Sequence, residues 1–422
     1  MGSIEVPASI GQRLLAMIGH YRPGHGALNC PVVCRLRGPL DVAALRAALD
    51  GLTAAHEALR TAFAGRGRRL TQVIHAPRTL PLARVDLAGE AELAAALAGE
   101  LATPIDVADW PTRATLWRLG PADHALCLNM HHLVTDAWSA GLIFHELRAR
   151  YGLALGSASP IRAPRWQYRD FVDWQTRLCE GTGLDRHRDY WRARLAGLRL
   201  PRLPYREASG PSAVTGADIP PEVAAGLRRL ARDCRATLFS VMLALYYAVL
   251  RQVCGQDDLA VASLFANRSR EEARDTVGFL ANMVVLRTTA TGRQTFPALV
   301  RAAHETVAGA LAYQEQPYQT LPLDPASLGG GRADDVVFQM MAELDHVGRV
   351  GDLEFELLVP EDIGSRFGVE LAVTPHGAGM RVLLFHTARL APSTASDMLE
   401  GYLSAAAAVA GGAPVPLAHL GL

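Results

Sequence analysis

One decapeptide, Met130–Ser139 (MHHLVTDAWS), constrains the fold of this chain more than any other stretch. The apolar run Ala125–Asn129 precedes it and predicts a buried strand. After it, apolar residues recur every four positions, as on one face of a helix, at Ile143, Leu147 and Tyr151. The paired histidines therefore lie where a strand ends, and Asp136 lies where a helix begins. At that position a carboxylate can accept backbone N–H groups of the first helical turn and complement the helix dipole.

The pair His131-His132 has three interpretations. It can be a hydrogen-bonded structural feature, a pair of metal ligands, or a catalytic group, because histidine titrates near neutral pH. Adjacent residues at a strand end point to opposite faces, and the helical zinc signature needs His at i and i+4 with a Glu between them. Neither feature favours a metal here, so a structural role and catalysis remain open on spacing alone.

Length and composition exclude several function classes. The 422 residues, half of them apolar, fit two packed units of about 200 residues each. Lys+Arg equals Asp+Glu, which predicts neither a nucleic-acid partner nor a membrane surface. Six scattered cysteines without a CxxC pair are typical of small core residues in a reducing compartment. No signal region is visible and no apolar run reaches ~18 residues, so we expect a cytoplasmic protein.

Helical and strand periodicities alternate in both halves, which predicts an α/β or α+β class. Asp41 is expected to cap one helix, and Gly255 to end another that spans Thr237–Val253. Further elements are predicted as a long exposed connection at Pro201–Pro221, a strand at Val277–Val285 and a hairpin across Thr374–Gly379.

Several stretches together, in order over nearly the whole chain, resemble the condensation domains of nonribosomal peptide synthetases, within the chloramphenicol-acetyltransferase-like superfamily. The decapeptide is similar to the family core MHHxxxDGxS. The other matching stretches are Ser9-x-x-Gln12-Arg13-Leu14, His56-Glu57-x-Leu59-Arg60-Thr61-x-Phe63, Tyr168-x-Asp170-Phe171-Val172-x-Trp174, Val277-Gly278-Phe279-x-x-Asn282 and, more weakly, Gln314-x-x-Pro317-Tyr318.

This resemblance implies two acetyltransferase-like lobes of α/β (two-layer α+β) structure, in a V-shaped pseudo-dimer with an active-site tunnel between them. Residues 1–176 would form the N-terminal lobe with the HHxxxD motif. Residues 177–422 would form the C-terminal lobe, with a floor loop and a crossing latch segment. We expect a free-standing monomer.

Two departures from the family pattern bear on these expectations. Ala137 replaces the usual glycine after the aspartate, and a helical backbone there would leave its methyl group merely narrowing the substrate passage. Arg366-Phe367-Gly368-Val369 stands where relatives often carry Phe-Asp-Leu in the crossing strand, so lobe contacts there are expected to differ.

The resemblance also implies a mechanism. The donor acyl group would arrive as a thioester on the phosphopantetheine arm of a carrier protein supplied in trans, with no intrinsic cofactor and no metal. A small-molecule or carrier-bound amine or hydroxyl would attack it.

The resemblance assigns roles to particular residues. His132 would be the catalytic residue, as a base or a positioning group, above a packed His131. Asp136 would pair with Arg268, with Arg60 as the competing partner, and the tunnel-lining candidates are Trp138, Ser139 and Asn282.

Two other functions stay open. The first is an acyl-CoA-dependent or polyketide-associated acyltransferase of the same superfamily. The second is a catalytically inactive recruitment platform, although such modules tend to lose the second histidine. An epimerization domain is disfavoured because its additional carboxylate-bearing motif is missing. A heterocyclization domain is disfavoured because the first histidine is not replaced by Asp.

Overall fold

The fold is described from a computed structural model that covers residues 2–21, 28–156, 161–324, 328, 331–341, 347–358, 367–412 and 416–420. The chain divides into two compact units. Unit 1 comprises Met1–Gly183, Ala266–Ala281 and Leu344–Glu361, and unit 2 comprises Leu184–Phe265, Asn282–Glu343 and Asp362–Leu422. The division into lobes at residues 176 and 177 stays a prediction.

The strands, in chain order, are β1 (Ile4–Pro7), β2 (Val32–Arg37), β3 (Thr61–Ala64), β4 (Thr71–Ile74), β5 (Leu82–Asp86), β6 (Thr112–Gly120), β7 (Asp123–Met130), β8 (Ala213–Ile219), β9 (Asp258–Phe265), β10 (Asn282–Thr289), β11 (Val336–Met340), β12 (Val347–Val350), β13 (Leu353–Leu358), β14 (Val369–His376) and β15 (Gly379–His386). The helices are α1 (Ile10–Tyr21), α2 (Val42–Ala55), α3 (Glu90–Ala102), α4 (Ala137–Ala154), α5 (Tyr168–Glu180), α6 (Asp185–Leu195), α7 (Pro221–Asp233), α8 (Leu238–Cys254), α9 (Phe296–Ala312) and α10 (Pro392–Ala410).

Unit 1 is built on a mixed sheet with the strand order β12-β13-β2-β7-β6-β5. Its pairs are antiparallel except β5 with β6, which is parallel. A smaller sheet has the order β1-β4-β3. Helices α2 and α4 bury apolar faces in the core of this unit, as the predicted stripe Ile143, Leu147 and Tyr151 does at no more than 1% exposure.

Unit 2 contains a second mixed sheet, with the order β10-β9-β11-β14-β15-β8. The pairs of β11 with β9 and β14 are parallel, and the others are antiparallel. Helix α8 lies inside the core of this unit, where Val241 to Leu250 are all buried. The predicted α/β class is confirmed.

Local signals placed several elements correctly. Asp41 caps α2, where its carboxylate accepts the N–H groups of Ala43 and Ala44 at 2.8 and 2.9 Å. Gly255 ends α8 in the left-handed conformation, with φ of 64°. The hairpin predicted across Thr374–Gly379 is formed by β14 and β15.

Three expectations need correction or lie outside the description. The stretch predicted as an exposed connection, Pro201–Pro221, contains β8, which pairs only with β15 among the described strands and therefore tolerates polar and glycine residues along its free edge. The strand predicted from Val277 begins only at Asn282, because the preceding backbone groups bond to side chains instead. Arg366 lies outside the described residues, and Val369 starts β14.

Among the described residues, no single helix has the length and apolarity to cross a membrane. The bent pair formed by α7 and α8 passes that test on length and composition alone.

Candidate active site

The decapeptide joins β7 to α4 through a short link that is fixed by its backbone. The N–H of His131 donates to the carbonyl of Pro111 at 2.9 Å, and the N–H of His132 donates to the carbonyl of Leu28 at 2.7 Å. From α1, Gln12 donates its amide to the carbonyl of Leu133 at 2.9 Å. Both histidines therefore stand at a corner whose backbone is held from three sides.

The ring of His132 has a defined tautomer. Its Nδ1 lies 2.7 Å from the carbonyl oxygen of Thr135. A carbonyl only accepts hydrogen bonds, so Nδ1 carries the proton and, in the neutral ring, Nε2 keeps its lone pair. The ring also meets Phe279 in a T-shaped contact, with the centroids 5.1 Å apart and the planes at 81°. His132 is partly buried, and it can offer Nε2 as a proton acceptor.

The ring of His131 does different work. Its Nδ1 accepts the backbone N–H of Leu133 at 3.1 Å, which closes the link on itself. Burial, together with the neighbouring His132, lowers the pKa of His131 to about 3. His131 is therefore neutral at physiological pH and serves as a hydrogen-bond acceptor. The described residues include no group of three or more His, Cys, Asp and Glu side chains placed to hold a metal ion.

Asp136 and Arg268 form a buried, bidentate ion pair, with both side chains 2% exposed. The two carboxylate oxygens each receive one guanidinium nitrogen at 3.0 Å. Asp136 also accepts the N–H of Ser139 at 2.8 Å, and those of Leu280 and Ala281 at 3.0 Å each. One carboxylate thus caps α4 and ties the 266–281 segment to the histidine corner.

The protonation state of Asp136 follows from these contacts. Burial raises the pKa of a carboxyl group, but the charge of Arg268 and the hydrogen bonds from Arg268 and Ser139 outweigh it, and the pKa of Asp136 lies below its usual range. The competing partner Arg60 donates instead to the carbonyls of Thr53 and His75.

The residues that follow Asp136 begin α4. Ala137 is helical and exposed, so the sequence departure at this position needs no left-handed backbone. Trp138 is 46% exposed and donates its indole N–H to the carbonyl of Arg274 at 3.0 Å. Ser139 is fully buried, and its hydroxyl accepts from Arg268 at 2.9 Å. A passage-lining role for Trp138 and Ser139 stays a prediction.

Asn282 belongs to unit 2 and holds the turn after α9. Its amide nitrogen donates to the carbonyls of Gln314 and Gln316 at 2.8 and 2.7 Å, and its oxygen accepts the N–H of Tyr318 at 3.0 Å. Those bonds explain why an asparagine is needed here. Its predicted place in a substrate passage remains untested.

One contact of the site was missed at the level of sequence, namely Phe279 against His132. The anchoring of the same corner by α1 carried a readable signal. Ser9 and Gln12 form a reciprocal capping box, with Gln12 N donating to Ser9 Oγ at 3.0 Å and Ser9 N donating to Gln12 Oε1 at 2.9 Å. The spacing Ser-x-x-Gln is the sequence signature of that motif.

Comparison with known proteins agrees with this geometry. A family model described as "Condensation domain" matches residues 4–398. A linear gramicidin synthase from Brevibacillus parabrevis is 34% identical over 377 residues, which are 86% of this chain and 7% of that protein. Phosphinothricin tripeptide synthetase PhsC of Streptomyces viridochromogenes is 34% identical over 370 residues, 84% of this chain and 34% of that protein. The chain spans a small part of the length of these relatives.

Among solved structures, the fold is similar to that of the first condensation domain of the calcium-dependent antibiotic synthetase, solved with a substrate analogue. The TM-score is 0.86 at 21% sequence identity, and the match covers 99% of both chains. At that identity the likeness establishes the fold.

Proposed function

The chain belongs to the condensation-domain family, whose members are acyltransferases that form amide bonds in natural-product biosynthesis, and on this premise we propose its reaction and partners. The donor is an acyl, peptidyl or polyketide group held as a thioester on the phosphopantetheine arm of a carrier protein. The acceptor is an amine or a hydroxyl, either free or on a second carrier. The observation that carries the proposal is the hydrogen bond from His132 Nδ1 to the Thr135 carbonyl, which leaves Nε2 as a proton acceptor.

The chemistry follows from that lone pair. The acceptor heteroatom attacks the thioester carbon, a carbon–nitrogen or carbon–oxygen bond forms, and the carbon–sulfur bond breaks. The proton of the nucleophile passes to Nε2 of His132 and can then be returned to the departing thiolate. General-base assistance of this kind contributes about 10²–10⁴-fold to the rate.

His132 acts here as base and as positioning group together, and the weight of each depends on the acceptor. An amine is already a good nucleophile, so it gains mainly from being held in place. An alcohol depends on proton removal. The loss of rate on His132→Ala is therefore larger for an alcohol acceptor than for an amine.

Asp136 and Arg268 support this reaction through structure. Both side chains are almost fully buried and are occupied by one another and by backbone groups, so neither needs to meet the substrate. We also propose that the lobes correspond to residues 1–176 and 177–422, and that the protein acts as a cytoplasmic monomer with its carrier as a separate partner.

The test is a transfer assay with a loaded carrier. The purified chain is mixed with an acyl- or peptidyl-loaded carrier and an acceptor, and product is detected by intact mass. His132→Ala is compared with wild type and with His376→Ala, which removes an exposed histidine at the end of β14. We expect His132→Ala to lose about 10²–10⁴-fold in rate, while His376→Ala keeps the wild-type rate.

The remaining alternatives are outcomes of the same assay. Transfer from acyl-CoA at a rate equal to that from the carrier would replace the proposed donor. No transfer by the wild-type chain, together with specific binding of a partner protein, would make it a recruitment platform. Undiminished turnover by His132→Ala would remove His132 from the mechanism.

A further inference from the structure

The segment from Gly278 to Ala281 is held at nearly every backbone polar group. The hydroxyl of Ser139 accepts the N–H of Gly278 at 3.1 Å and donates to its carbonyl at 3.0 Å. Asp136 accepts the N–H groups of Leu280 and Ala281. These bonds come from α4 and its cap, so the segment is fixed to the same element that begins directly after the histidines.

Two further groups complete the hold from other parts of unit 1. The hydroxyl of Tyr168 donates to the carbonyl of Phe279 at 2.8 Å and lies 2.9 Å from Ser9 Oγ. Asn267, which adopts a left-handed φ of 53°, donates its amide to the carbonyl of Leu280 at 3.0 Å. An unusual backbone conformation is thus maintained where its side chain bonds this segment.

Gly278 has no space for a side chain. A Cβ built there would lie 2.1 Å from Cδ2 of Tyr168, so the aromatic ring lies directly on the glycine. The Tyr168 ring and hydroxyl therefore fix both the path of the backbone at 278 and the carbonyl of the next residue. The direction in which Phe279 leaves the backbone is over-determined.

This effort is directed at one side chain, that of Phe279, which is 9% exposed. Its ring meets the imidazole of His132 with the planes at 81°. On another side, Gly11 leaves room for the same ring, since a Cβ at Gly11 would lie 2.9 Å from Cε1 of Phe279. The ring is thus enclosed between α1 and the histidine.

We propose that Phe279 is the positioning residue for His132, and that the network of Asp136, Ser139 and Tyr168 serves to hold Phe279 in place. A hydrogen bond at Nδ1 fixes one atom of the imidazole, whereas a ring packed at a right angle fixes the plane of the imidazole. Together they define the direction of the Nε2 lone pair. The kinetic consequence of this inference rests on the proposed function, but the position of the ring does not.

The test replaces Phe279 by leucine, which keeps apolar volume and removes the flat ring. Protein labelled with ¹⁵N and ¹³C in histidine is studied by long-range ¹H–¹⁵N correlation, with the His132 signals assigned through His132→Ala. In wild type we expect one tautomer, protonated at Nδ1, with ring-to-ring nuclear Overhauser effects to Phe279. In Phe279→Leu we expect a mixture of tautomers, and a kcat about 3- to 10-fold lower at unchanged KM for the loaded carrier.

The matched control is Phe355→Leu. Phe355 is fully buried in the same unit and makes a T-shaped contact with Tyr151, with the centroids 5.5 Å apart. It should lose comparable thermal stability, while the tautomer of His132 and kcat stay as in wild type. A general loosening of the core is thereby separated from an effect on the imidazole.

The outcomes are distinguishable. A single Nδ1-protonated tautomer and wild-type kcat in Phe279→Leu would overturn the inference and leave the proposed function intact. An inactive wild-type protein would count against the proposed function, while the tautomer measurement would still decide on Phe279. If Phe279→Leu does not fold, the wild-type spectrum decides, because two exchanging tautomers or missing ring-to-ring effects would overturn the inference.

Discussion

The ion pair of Asp136 with Arg268 gives the sharpest prediction about stability. Asp136→Ala removes a carboxylate that accepts two bonds from Arg268 and three from backbone N–H groups. The guanidinium is left at 2% exposure with only neutral acceptors, the carbonyls of Ala266 and Thr276 and the hydroxyl of Ser139. A buried charge without a counter-charge is the costly consequence.

The magnitude follows from burial. Removing one partner of a buried ion pair costs about 3–5 kcal/mol. For a cooperative unit of about 200 residues, 1 kcal/mol lowers Tm by about 2–4 °C, so Asp136→Ala should lower the Tm of unit 1 by about 6–20 °C. Because the pKa of Asp136 is depressed, its contribution is complete above the unfolded value of about 3.9 and is lost as pH falls through the folded value. The difference from wild type should therefore be constant above about pH 5.

The assay is thermal unfolding followed by circular dichroism, with soluble yield as a second measure. The control is Asp173→Ala, which breaks an exposed i,i+4 pair with Arg177 that has a similar contact distance of 2.7 Å. Such surface pairs are worth about 0.3–0.5 kcal/mol, so the control should unfold within about 2 °C of wild type. The double variant Asp136→Ala with Arg268→Met should be more stable than Asp136→Ala, because no buried charge is left.

The reasoning would be refuted by a soluble Asp136→Ala protein that unfolds at the wild-type temperature. It would also be refuted if the losses of Asp136→Ala and Arg268→Met were additive in the double variant, because groups in direct contact are expected to couple.

Three further results are expected. His131 should make the wild-type free energy of unfolding fall by about 1.4 kcal/mol per pH unit as pH drops below about 6.5 toward 3, since only the unfolded imidazole takes up a proton. His131→Asn, which can keep an acceptor at the Nδ1 position, should remove that dependence in chemical unfolding at varied pH. Gly278→Ala should cost about 1–3 kcal/mol because its methyl group overlaps the ring of Tyr168, whereas Gly99→Ala, in open space on α3, should not destabilise in the same titration. Asn282→Ala should cost about 1–3 kcal/mol by leaving three backbone groups of the turn after α9 without their bonds.

The elements that could be predicted are those with local signals. Helix α8 is bounded by Thr237, whose hydroxyl accepts the N–H of Ser240, and by a left-handed Gly255. Both signals lie within a few residues of the helix they delimit. The α4 stripe and the hairpin of β14 and β15 likewise depend on periodicity and turn residues that are adjacent in sequence.

The elements that escaped prediction depend on distant partners. Strand β8 reaches its pattern only beside β15, and β13 pairs with β2 across more than 300 positions, as in Glu354 opposite Arg37. No local periodicity encodes such a register, because it is decided by the hydrogen-bonding edge that the distant strand offers. The contact of Phe279 with His132 escaped for the same reason, since it depends on a non-repetitive loop held by side chains.

The motifs that revealed the family are mostly not the chemistry. Gln12 holds the histidine link, Tyr168 and Ser139 hold the segment with Phe279, and Asn282 holds a turn. A protein could keep all of these bonds, and hence the fold, after losing its reaction. An intact set of motifs is therefore strong evidence for the fold and weak evidence for turnover. The distinction between an enzyme and a recruitment platform rests on the Nε2 lone pair of one imidazole, and only a rate measured with and without His132 decides it.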